Sequence, residues 1–119
     1  MTRGHRALAV AIALVVPLAP QVAMAHSQLE DTTPLANSTV HQPLRSVDLV
    51  FNEEVSLPRI VVRSSKKTVI AGSMVRRGDS ERATFIASKP LPRGNYSVQW
   101  RARSADGHWV SGIFAFTVD

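Results

Sequence analysis

From residue 46 onward, apolar and polar positions alternate in short runs. In "SVDLVF", Val47, Leu49 and Phe51 recur every second residue, the period of a strand with one face buried. "PRIVVRS" follows a break at Pro58, and "TVIAG", "RATFIAS", "NYSVQWRAR" and "GIFAFTV" come after it. Each carries the β-branched and aromatic residues that suit a pleated, half-buried surface. Turn-forming clusters separate the runs: "LANS", Gly72, "RRGDS", "KPLPRGN" and "SADG". No segment has a helical period. Short strands at this spacing predict an all-β fold, an antiparallel sandwich or barrel. The predicted core is Val47, Leu49, Phe51, Ile60, Val62, Phe85, Tyr96, Val98, Trp100, Phe114, Phe116 and Val118. No internal repeat, linker or low-complexity tract interrupts it.

The first 25 residues follow a different pattern. Arg3 and Arg6 form a short basic region, the run Ala7 to Ala19 is almost wholly apolar, and Ala23 and Ala25 fit the small-x-small rule for leader cleavage. Pro17 interrupts the run, which is far shorter than the roughly 20 residues a spanning helix needs. Residues 1–25 therefore read as a cleaved secretory signal peptide and residues 26–119 as one mature domain, exported to the periplasm or cell exterior. The alternative is an uncleaved N-terminal anchor, but no stop-transfer pattern follows. Twin arginines are missing, which points to the general secretion route.

Charge and cysteine usage narrow the function. The chain has 14 Lys+Arg against 9 Asp+Glu; without Arg3 and Arg6 the formal charge falls to +3. The basic residues are scattered and no aromatic residues interleave with them as stacking platforms, which argues against nucleic-acid binding. There is no cysteine, so stability comes from packing, and thiols serve neither as nucleophiles nor as metal ligands.

Two short stretches carry candidate chemistry. Cleavage after Ala25 would make His26 the first residue, and an N-terminal histidine offers its α-amine and its ring Nδ1 as one chelate. Both groups give up protons to a metal ion readily near neutral pH. The plain alternative is that histidine occupies the first position by chance. In "SADGHWVSG", Asp106 and His108 lie two residues apart, a spacing that puts both side chains on one face of an extended segment. Gly107 between them frees the backbone. Here the alternative is a hairpin turn in which Asp106 bonds nearby backbone and His108 is solvated.

With "AHSQLEDTTPLANSTV", "VDLVFNEEV" and "PLPRGNYSVQWRARSADGHWVSGIFAFTV" taken together, almost the whole of residues 26–119 resembles the CopC family of exported copper-binding proteins, also called copper resistance protein C. The resemblance implies a seven-stranded, Greek-key, immunoglobulin-like β-sandwich or barrel. It implies a Cu(II) site made by the amine and ring of His26 with Asp106 and His108. It also implies a partner of the CopD type in the inner membrane. Nitrogen donors and one carboxylate suit the tetragonal preference of Cu(II). Some family members have a methionine-rich Cu(I) site; in residues 26–119 only Met74 is available, and its position suggests packing on the sheet.

The remaining polar residues read more simply. His41 is a surface loop residue. Glu53 and Glu54, as neighbours on a strand, point to opposite faces. Ser104 and Ser111 lie near His108 without a nucleophile elbow or triad pattern. Trp109 either shields the site, forms a contact surface or packs on a strand face. The expected function is a non-enzymatic, monomeric Cu(II)-binding protein of the periplasm that sequesters copper or delivers it. The alternatives are a histidine-brace copper monooxygenase, against which Asp106 and the lack of an aromatic docking surface argue, and an immunoglobulin-like adhesion or structural module.

Overall fold

The structure is a computed structural model that describes Gly4 and residues 9–15, 27–41 and 43–119. Residues 9–15 have no regular structure, and Val10, Ile12, Leu14 and Val15 are exposed. Seven strands follow: β1 (Leu29–Thr33), β2 (Thr39–Val40), β3 (Ser46–Ser64), β4 (Gly72–Met74), β5 (Ser80–Ala87), β6 (Gly94–Ser104) and β7 (Trp109–Val118). They are ordered β2-β7-β6-β3-β5-β4, with β1 also paired to β3. Pairing is antiparallel except between β2 and β7, which run parallel. The antiparallel expectation thus holds for every pair but one.

The 19 residues of β3 make the sandwich. Its first part, Ser46–Val50, pairs with β5 on one edge and β1 on the other, whereas Ser56–Ser64 pairs with β6. The register shifts between Val50 and Val55 and again between Ser56 and Arg59. Such bulges bend and twist a strand, and here they carry it from one layer to the other. Leu57, at φ 50°, and Pro58 sit in the second shift. The sequence suggests a strand break at Pro58; instead the strand runs through, because a bulge tolerates a residue with no N–H to donate.

The core fills the space between the layers. Phe51 meets Trp100 edge-to-face with ring centroids 5.4 Å apart, and Tyr96 stacks on Phe116 at 5.4 Å. Every predicted core residue is buried except Phe114, which packs against the core from a partly buried position. Val55, Ala83, Ala87, Leu91 and Ala102 are also buried. "TVIAG" forms only an isolated bridge, Val69 to Arg63, and β4 begins at its last residue. Gly72 is held there by close approach: a Cβ would lie 2.3 Å from the Ile86 carbonyl oxygen. β1 and β2 carry too few apolar residues to announce themselves.

Two outcomes follow from this packing. Phe51→Ala should lower stability by about 3–5 kcal/mol, read by urea denaturation, because it removes a ring from the contact between the layers. The Tyr96 hydroxyl donates to the Pro92 carbonyl at 2.5 Å, as in the tyrosine corner of immunoglobulin-like folds. Burial raises its pKa, so the folded state resists an ionisation that the unfolded chain undergoes near pH 10. That contribution to stability is intact below about pH 10 and lost as pH rises beyond it. Tyr96→Phe should cost roughly 0.5–1.5 kcal/mol at neutral pH and make the alkaline fall in melting temperature shallower.

Candidate metal centre

Four residues, 105–108, join β6 to β7. Gly107 has φ +88°, a conformation that side chains resist and glycine adopts freely. The Gly107 N–H donates to the Ser104 carbonyl at 2.9 Å, and the Ser104 N–H donates to the His108 carbonyl at 2.7 Å. Asp106 then folds back across its own turn. Its Oδ1 accepts the His108 backbone N–H at 3.0 Å, and its Oδ2 lies 3.2 Å from His108 Nδ1. The Asp106 side chain is 19% exposed and that of His108 55%, so the carboxylate is the more sheltered of the two.

Asp106 and His108 are therefore neighbours, but not by strand alternation. Both sit in the turn, and the aspartate makes the backbone bond expected of a turn residue while also holding the imidazole. Strand spacing fails here because Gly107 bends the chain between them. Arg103 reinforces the turn by donating Nε–H to the Gly107 carbonyl at 3.2 Å. Trp109, at the start of β7, is half exposed and stacks under the Arg101 guanidinium at 3.9 Å.

His26 lies outside the described residues. The residue after it, Ser27, is 1% exposed and tied to the base of the turn. Its N–H donates to Ser104 Oγ at 2.7 Å; its Oγ accepts from Ser104 Oγ at 3.1 Å and from the Ala105 N–H at 3.3 Å, and donates to the Glu54 carbonyl at 3.3 Å. Gln28 and Asn52 extend the anchor, with the Gln28 N–H on Asn52 Oδ1 at 2.7 Å and the Asn52 N–H on the Gln28 carbonyl at 2.9 Å. Ser104, unremarkable as a nucleophile, is thus a structural clasp. No local signal marks two serines 77 positions apart as partners.

Elsewhere, Met74 packs against the core. His41 is an exposed residue, as its sequence context suggests, but Nδ1 lies 3.4 Å from Asp119 Oδ2. The parallel β2–β7 pairing brings this carboxylate close, a contact that local sequence does not reveal. Among the described residues, no three His, Asp or Glu side chains converge as a metal cluster.

Residues 29–119 match the CopC domain. The chain belongs to the CopC family. It is 31% identical over 106 residues to copper resistance protein C of Escherichia coli, covering 81% of this chain and 83% of that protein. Among solved structures it resembles CopC from Methylosinus trichosporium OB3b, with a TM-score of 0.72 and 31% identity over 79% of this chain and 94% of that one. It also resembles PcoC, a methionine-rich copper resistance protein from Escherichia coli, with a TM-score of 0.70 and 29% identity over 80% of this chain and all of that one. The CopC fold is thus the fold of this chain.

Ser104→Ala should leave the buried Ser27 N–H without its acceptor. The expected loss is roughly 1–3 kcal/mol of stability, with faster hydrogen exchange at the Ser27 amide. An unchanged exchange rate would mean that the clasp does not hold.

Proposed function

We propose that the protein is exported, is cut after Ala25, and binds Cu(II) as its cargo through the α-amine and ring of His26 together with Asp106 and His108. In this reading it works in the periplasm without catalysing a reaction, as a monomer, and holds copper for an inner-membrane partner of the CopD type. The observation that carries the reading is the burial of Ser27 against Ser104 and Ala105. The residue bonded to His26 is fixed at the base of the turn that holds Asp106 and His108.

The donor set fits. Asp106 Oδ2 and His108 Nδ1 lie 3.2 Å apart, close enough for both to ligate one ion, so in this reading Nδ1 is the ring nitrogen that serves together with Asp106. Imidazole, amine and carboxylate together favour Cu(II), which tops the affinity order for such ligands. A soft Cu(I) site would need thioethers or thiolates. PcoC is described as methionine-rich, whereas residues 26–119 here contain only Met74, packed on the core. The exposure of Val10, Ile12, Leu14 and Val15 agrees with a leader that contributes nothing to the domain.

The test is the free terminus. Protein beginning at His26 should bind one equivalent of Cu(II), measured by competition with a chelator and by electron paramagnetic resonance. One extra glycine ahead of His26 should weaken binding by at least roughly 10–100-fold, the loss typical of disturbing even the support of a metal ligand. Equal affinity for both proteins would exclude the amine as a ligand.

A further inference from the structure

The outer face of the β3–β6–β7 layer carries positive charge that the fold leaves uncompensated. Arg59 and Arg63 on β3 and Arg101 on β6 alternate with the buried Ile60, Val62, Trp100 and Ala102, so they lie on the solvent side. Arg59 is directly opposite Arg101 in the register, and like charges facing each other across a sheet are destabilising. Their neighbours on this face are Val61, Ser97, Gln99, Ser111 and Ile113, none of them acidic. Among the described residues, which include all nine Asp and Glu of the chain, none pairs with these three arginines. Arg63 bonds Gln99 and Arg101 stacks on Trp109.

The other layer treats its arginines differently. Arg82 lies 3.9 Å from Asp48, Arg77 bonds Thr84, and Arg45 donates to the Ala87 and Ser88 carbonyls. Arg103 is also set apart, because it borders a groove shared with Glu54 and Asp79. The uncompensated set is therefore Arg59, Arg63 and Arg101, which line one open groove with Gln99 and Ser111.

We propose that this face docks on an anionic phospholipid surface. Arg59 and Arg63 are four strand positions apart, roughly 13 Å, too far to converge on one small anion but suited to separate phosphate headgroups, which guanidinium groups bind bidentately. Trp109 and Ile113 project on the same side, 48% and 72% exposed. A tryptophan beside arginines is the combination that settles at a membrane interface. An acidic protein segment would use the charge but not the exposed apolar tips. Docking does not depend on the metal reading, but it has a consequence for it: Trp109 follows His108, so a docked face holds the metal turn at the membrane surface.

The test uses the exported protein and vesicles of equal parts phosphatidylglycerol and phosphatidylcholine, with pure phosphatidylcholine as control, read by co-sedimentation. Wild type should bind the anionic vesicles alone and release as salt rises. The triple variant Arg59→Gln, Arg63→Gln, Arg101→Gln should bind on the order of a hundredfold more weakly, with a melting temperature no lower than wild type. The corresponding triple lysine variant should bind between wild type and the glutamine triple, because it keeps the charge but loses the bidentate contact; binding as weak as the glutamine triple would overturn the charge argument. The variant Lys66→Gln, Arg76→Gln, Arg93→Gln, which removes equal charge elsewhere, should keep most of the binding. All variants share one N terminus, so it contributes equally to each. Equal losses in the two charge-matched glutamine triples, or equal binding to neutral vesicles, would overturn the proposal. Capture of an acidic protein by the same arginines without vesicle binding would replace the lipid with a protein partner.

Discussion

One strand, β3, has to serve two layers, and the geometry of the domain follows from how it does so. A straight strand of 19 residues would keep a single set of neighbours and leave its apolar face open to water. The bulges between Val50 and Arg59 instead redirect it, so that Val47, Leu49 and Phe51 face Ile60 and Val62 through the same core. Burying one such side chain fully stabilises the fold by about 1.5–3 kcal/mol. The bend therefore converts one alternating strand into both walls of the interior.

The candidate centre rests on the edge of that construction. Ser104 ends β6 opposite Val55, in the bend of β3, and Ser27 approaches from the chain that becomes β1 on the near part. The clasp between the two serines thus joins elements from different layers. Among the described residues, no buried side-chain nitrogen or oxygen lacks a hydrogen-bond partner. A polar cluster so fully satisfied has few ways to rearrange, and this gives Asp106 and His108 a rigid base despite their place in a turn.

What could be read from sequence depended on how local the cause was. Burial on one face imprints a two-residue period, so Val47, Leu49, Phe51, Tyr96, Val98 and Trp100 were legible. β1 was not, because its order comes from backbone pairing with β3 rather than from its own "LEDTT". Pro58 looked like an end because its lost N–H matters only where a neighbour needs it. At the site, the turn was legible in "SADG", with Asp106 bonding nearby backbone as a turn residue does; the strand spacing of Asp106 and His108 is not what brings them together. The Ser27–Ser104 and His41–Asp119 contacts join distant positions, and nothing in the residues around them foretells either. His26 was singled out by the cleavage pattern and by the family resemblance, not by the periodicity around it.

The order of the strands also bears on how the protein behaves when concentrated. The two ends of the path are β2, with two residues, and β4, with three, the shortest strands in the fold. Unpaired backbone on a long, flat edge invites a second chain to add itself, and very short edge strands are one of the ways natural sheets prevent this. Of the long strands, β6 is occupied on both sides along its length, by β3 and β7, whereas β7 is paired with β2 only at Thr117 and Val118. Among the described residues, the ladder that a second copy could reach is therefore the outer edge of β7 from Trp109 to Phe114, rather than either end of the path.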